Sequence, residues 1–124
     1  MSALQDAREA MAELLASELD GAQSFPFMPD RFTPPAAIIL PGAPYLTSSG
    51  TFGTFTLGLE VIVVANATVN ETGANALDQL VDDATVALVN AGISVSEVSE
   101  PWQMSSQNAK YLAATITTSQ PVSL

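Results

Sequence analysis

From Thr54 to Val64 the side chains alternate with a period of two, Phe55, Leu57, Leu59, Val61 and Val63 against Thr54, Thr56, Gly58, Glu60, Ile62 and Val64. That period is the mark of a β-strand, whose successive side chains leave on opposite faces. A strand this long must sit in a sheet with its odd-numbered face buried. Its other face starts polar and turns apolar at Ile62 and Val64. The first half is therefore expected to meet solvent or a partner, and the second half to lie under a helix.

The segments before it supply a partner strand. Ala36–Leu40 reads as a buried strand closed by Pro41 and Gly42, with a second short extended piece starting at Pro44 and Tyr45. Together 36–65 reads as a hairpin. Its connection, Thr47, Ser48, Ser49, Gly50, Thr51, Phe52 and Gly53, is small, uncharged and long for a hairpin loop. Upstream, Phe25–Pro35 carries too many prolines for a helix or a central strand, so an extended aromatic connector is predicted.

Two segments have helical spacing. Leu4, Ala7, Met11, Leu14, Leu15 and Leu19 form a stripe opposite Asp6, Glu9, Glu13 and Asp20, and Gly21 follows as a stop signal. The second helix carries Leu77, Leu80, Val81, Ala84, Leu88 and Ala91, ending at Asn90 and Gly92. Thr68 with Glu71 fits a capping box at its start, and Asn70 is an equally good cap. Ile93–Val98 and Lys110–Thr118 then alternate like strands, joined by a loop holding Glu100, Pro101, Trp102 and Met104. The expected fold is one α+β domain over 1–124: a mainly antiparallel sheet of about four strands, two helices packed on one face, in the order helix, strands, helix, strands.

Charge then limits function. Only 13% of residues are charged, against roughly 25% in an average soluble domain. Such a chain covers itself with neutral polar groups or buries surface against partners, and an oligomer is expected. Thirteen acids face three cations, Arg8, Arg31 and Lys110, for a net charge of −10. Too few cations exist to displace counterions from phosphates, so stable nucleic-acid binding is not expected. A surface that repels DNA suits a conduit through which DNA slides. The first residues lack a signal-peptide pattern, and no apolar run approaches the roughly 18 residues of a membrane span, so a protein dissolved in a cell or particle is expected.

Catalytic raw material is sparse. The absence of Cys and His removes thiol and imidazole chemistry and the best zinc ligands. Asp82 with Asp83, and Glu97 with Glu100, are the pairs an enzyme would use, but neighbours on a helix diverge by about 100° and read as solvated surface. Glu97, Glu100 and Asp30 match no metal-ligand spacing, and Lys110 reads as an edge charge. The glycosylation patterns at Asn66 and Asn70 are short and better explained by capping. Neither enzyme, cofactor nor metal is expected. Trp102, the only tryptophan, serves equally as an interface anchor or as internal packing.

The outline of helix, aromatic segment, Pro29-Asp30-Arg31, Pro34-Pro35-Ala36-Ala37, long hairpin, helix and closing strands resembles the small tail terminator proteins of long-tailed phages. Thr51-Phe52-Gly53 turning into the long strand adds to the likeness, which spans nearly the whole chain. The resemblance implies a homo-oligomeric ring, usually a hexamer, on the head-proximal end of the tail tube. Such a ring stops tube polymerisation and docks the head-tail connector or stopper protein. It implies a place in the neck of the virion tail, assembly in the host cytoplasm, and DNA passing through without specific binding. The family carries no catalytic residues to transfer.

On that basis Asp6, Glu9 and Glu13, or Asp78 and Asp82, are expected to line the lumen. The segment Thr47–Gly53 is expected to contact the tube or a neighbouring copy and to become ordered only on assembly, and Trp102 is a candidate interface aromatic. Two other readings stay open. One is another neck component, a head completion or stopper protein. The other is a monomeric module binding through Phe25, Phe27, Phe32 and Trp102.

Overall fold

A computed structural model describes all residues except 1, 20, 51, 66–70 and 107–108. The elements run α1 (Ala3–Glu18), β1 (Gln23–Phe25), β2 (Ala36–Ser48), β3 (Thr54–Val64), α2 (Glu71–Asn90), β4 (Ser94–Val98), β5 (Trp102–Ser106) and β6 (Ala109–Ser123). They form a six-stranded mixed sheet ordered β1-β2-β3-β6-β4, with β5 also paired to β6. This corrects the expected mainly antiparallel sheet of about four strands. Two short strands account for the difference. β1 forms within the approach to the proline-rich connector and runs parallel to Ala36–Ile38. β5 occupies the span read as a loop.

β2 also departs from expectation, because Pro41 and Gly42 do not end it. Residues 36–41 pair with 64–59, and pairing resumes at Leu46 opposite Leu57, so the chain takes an excursion between Pro41 and Leu46. Two glycines permit this. A Cβ at Gly58 would stand 2.5 Å from the Pro44 carbonyl oxygen, and one at Gly42 would stand 2.9 Å from the Gly58 carbonyl. Both prolines lie on the side of β2 beyond the reach of β1, where a missing N–H breaks no ladder bond.

β4 and β5 lie end to end along one edge of β6. Ser94–Val98 pair with Ser119–Ile116, and Trp102–Ser106 pair with Ala113–Ala109. At the break between them, the Ser99 N–H donates to the Thr115 carbonyl at 2.8 Å and the Thr115 N–H donates to Ser99 Oγ at 2.9 Å. A side chain thus stands in for a backbone acceptor. Along its opposite edge, β6 pairs with the whole of β3.

Both helices cover one face of the sheet. Met11, Leu15 and Leu19 of the first helical stripe and Leu77, Ala84 and Leu88 of the second pack against Leu57, Leu59, Val61, Val63 and Ile116, all buried. Each large side chain removed from water contributes roughly 1.5–3 kcal/mol before the entropy of ordering is set against it. Ser2 caps α1 by accepting from the Gln5 N–H. α2 ends at Gly92, φ +84°, where the Gly92 N–H donates to Val89 and the Ile93 N–H to Leu88, both at 3.0 Å. The caps Thr68 and Asn70, the Asn66 pattern and Asp20 lie outside the described residues. Ala91, placed on the buried stripe by its spacing, is exposed because it follows the last helical turn.

The far end of the opposite face has its own small core, but no helix over it. Ile62 and Val64 are buried with Ala36, Ile38, Ala113 and Phe32, and Phe25, Trp102, Met104 and Tyr111 pack against them. The connector and the β5–β6 arm cover the place where a helix was expected.

Candidate assembly surfaces

Fold and sequence together sort the charges. The two helices carry Asp6, Glu9, Glu13 and Glu18, and Glu71, Asp78, Asp82 and Asp83, all exposed. Arg8 is their only cation, and it donates to the Pro26 carbonyl at 3.2 Å rather than lying free. The five acids singled out from sequence therefore share one strongly negative, helical side of the molecule.

Asp82 and Asp83 line a groove of about 470 Å³ between the helices, together with Glu18, Leu14, Val86 and Asn90. Among the described residues no three acidic side chains gather closely enough to hold a metal ion. Glu97, Glu100, Asp30 and Lys110 are each exposed.

The end of the sheet built from β2, β3 and β6 carries no charged side chain. Residues 41–59 and 111–124 contain no Asp, Glu, Lys or Arg. The topology brings them together, since Leu46–Ser48 pair with Leu57–Phe55, which pair in turn with Gln120–Val122. This three-stranded end of β2, β3 and β6 holds most of the predicted assembly segment. Thr47 and Ser48 end β2, Ser49, Gly50, Phe52 and Gly53 make the turn, and Thr51 lies outside the described residues. The turn is ordered by Ser49, whose Oγ donates to the Thr54 carbonyl at 2.7 Å, and by positive φ at Gly50 and Gly53. Phe52 is wholly exposed, at 104%, and Leu124 is 63% exposed beside it, its N–H donating to the Gly53 carbonyl at 3.4 Å.

The sequence matches no protein-family model and no curated protein.

Trp102 lies half-buried against the second core, and its Nε1–H donates to Thr115 Oγ1 at 3.2 Å. That arrangement gives it an internal partner for its polar edge. The four aromatics of the monomeric-module reading do not line one open groove. Phe32 is buried, Phe25 and Trp102 are half-buried, and only Phe27 is exposed, edge-on to Phe25 at 6.5 Å. The feature that sequence reasoning missed is the size of the uncharged pole. Its signal was present as two charge-free stretches, but only the pairing of β2, β3 and β6 joins them.

Proposed function

We propose that the chain is a structural virion protein, a tail terminator that forms a ring on the head-proximal end of a phage tail tube. The observation that carries the proposal is the separation of an acidic helical side from an uncharged sheet end that exposes Phe52. A ring subunit around a DNA conduit needs both. The acidic side offers phosphates a single cation, Arg8, already held by the Pro26 carbonyl, and the uncharged end lets like-charged subunits meet. The resemblance noted above in the Pro-Asp-Arg and Pro-Pro-Ala-Ala elements supports the same reading.

In this role Asp6, Glu9 and Glu13, or Asp78 and Asp82, face the lumen, and Thr47–Gly53 touches the tube or a neighbouring copy. The partners are further copies of the chain, the tube protein and the connector or stopper above it. Polymerising purified tail-tube protein with and without the chain, and measuring tube lengths by negative-stain imaging, tests the proposal. Shortened tubes with density at one end are expected. Tubes of unchanged length and bare at both ends would refute it. An imaged ring with both helices on its outer rim would refute the lumen assignment alone.

A further inference from the structure

The uncharged pole has two open strand edges at the same level of the sheet. On β2, β1 reaches only Ile38, so among the described residues no strand lies against Tyr45–Ser48 on the side away from β3. On β6, β4 reaches no further than Ser119, so Gln120–Ser123 is likewise open on the side away from β3. Tyr45–Ser48 itself carries neither a charge nor a proline, the protections of this edge, Pro44 and the excursion, ending just before it.

The hydrogen-bond phase says which groups point outward. The Ser49 N–H donates to Thr54 and the Leu124 N–H to Gly53, so these residues face β3. Alternation along each strand then turns the N–H and C=O of Leu46 and Ser48 outward from β2, and those of Pro121 and Ser123 outward from β6. Pro121 has no N–H, which forbids some partners. A parallel neighbour with Leu46 opposite Val122 avoids the gap. The Leu46 N–H meets the Pro121 carbonyl, the Ser123 N–H meets the Leu46 carbonyl, and the Ser48 N–H meets the Ser123 carbonyl. The missing donor is never needed.

We propose that copies of this chain join head to tail here, the β2 edge of one receiving the β6 edge of the next as a parallel strand. A second copy is the occupant the charges favour. Two chains of net charge −10 repel each other, and this is the end where copies can touch without pressing acidic side chains together. The two edges differ, so the contact is heterologous and propagates into a ring when its rotation closes. Phe52 and Leu124 stand at the same end and add apolar area to the short ladder. The inference rests on the ring reading and supplies its subunit contact.

The register places Thr47 directly opposite Ser123 of the adjoining copy. The chain has no cysteine, so Thr47→Cys and Ser123→Cys introduce the only thiols. Within one chain these positions are two strands apart, about 10 Å, beyond the roughly 7 Å limit for a disulfide. The two single variants, one carrying a mass tag, are mixed, oxidised and resolved without reductant, free in solution and on tail tubes. The expected product is a mixed dimer absent from either variant alone, and the doubly substituted chain is expected to give a ladder. Ser48→Pro, which removes an outward N–H and the Oγ that accepts from the Gly50 N–H at 3.3 Å but no bond to β3, is expected to abolish the ladder while a cooperative melting transition is retained.

Efficient homodimers of Thr47→Cys alone would overturn the head-to-tail contact. So would oligomers seen by light scattering that neither cross-link in the mixture nor respond to Ser48→Pro, although the ring would then stand. Monomers at every concentration and on tubes, with no cross-link, would overturn the contact and the ring together.

Discussion

Replacing Gly58 by alanine would set a methyl group 2.5 Å from the Pro44 carbonyl oxygen and 3.9 Å from that of Thr118. The nearer obstacle is backbone, held on either side of the excursion by the pairs at Pro41–Leu59 and Leu46–Leu57. No rotamer change can relieve it. Overpacking of this kind costs about 1–3 kcal/mol. Against that, alanine restricts the unfolded chain and returns about 0.4–1 kcal/mol, because Gly58 has no positive φ to lose. The net expectation is a loss of about 1–2 kcal/mol, seen as a urea midpoint lowered by about 1 M at unchanged slope. Gly42→Ala strains the same excursion from the other side, so the double variant is expected to cost less than the sum of the two. An unchanged or raised midpoint for Gly58→Ala would show that the Pro44 carbonyl yields freely and that the glycines do not fix β2.

Three other outcomes follow from particular contacts. Leu15, fully buried between α1 and the sheet, should cost about 2–5 kcal/mol when replaced by alanine, measured by chemical denaturation. Trp102→Phe keeps most of the packing but loses the bond to Thr115, so a loss of about 0.5–1.5 kcal/mol is expected, with no change in the cross-linking ladder. A larger effect on assembly than on stability would return Trp102 to the interface. Replacing Asp6, Glu9, Glu13, Asp78 and Asp82 together by lysine takes the net charge from −10 to 0 (−10 plus 5 × 2). Retention on immobilised DNA that weakens with salt is expected for this variant and not for the parent.

The helices were legible because their stripes are long and obey a single period, from Leu4 to Leu19 and from Leu77 to Leu88. β3 was legible for the same reason with period two. The rest depended on partners distant in the chain. Gln23–Phe25 becomes a strand only because Ala36–Ile38 lies alongside, and three residues carry no period of their own. Pro41 and Gly42 read as a stop, yet on an open edge opposite Gly58 they make an excursion instead. Trp102–Ser106 is held by pairing with β6. Ile62 and Val64 announced a cover without saying what it was, since Phe32 and Trp102 bury an apolar face as well as a helix does. Of the site, the acids on the helices could be placed by spacing alone. The uncharged pole could not, because its two halves are more than fifty residues apart (59 to 118).

One consequence concerns how the chain is made. β6 binds β3 along one edge and both β4 and β5 along the other, yet it follows all of them in sequence. During synthesis, β3 emerges with one edge unmatched, and β4 and β5 emerge with no strand to join. The nascent hairpin must wait with the N–H and C=O groups along one edge of β3 unpaired until β6 arrives. Such a late keystone makes folding a single closing event, delayed until the last fifteen residues of the sheet are made.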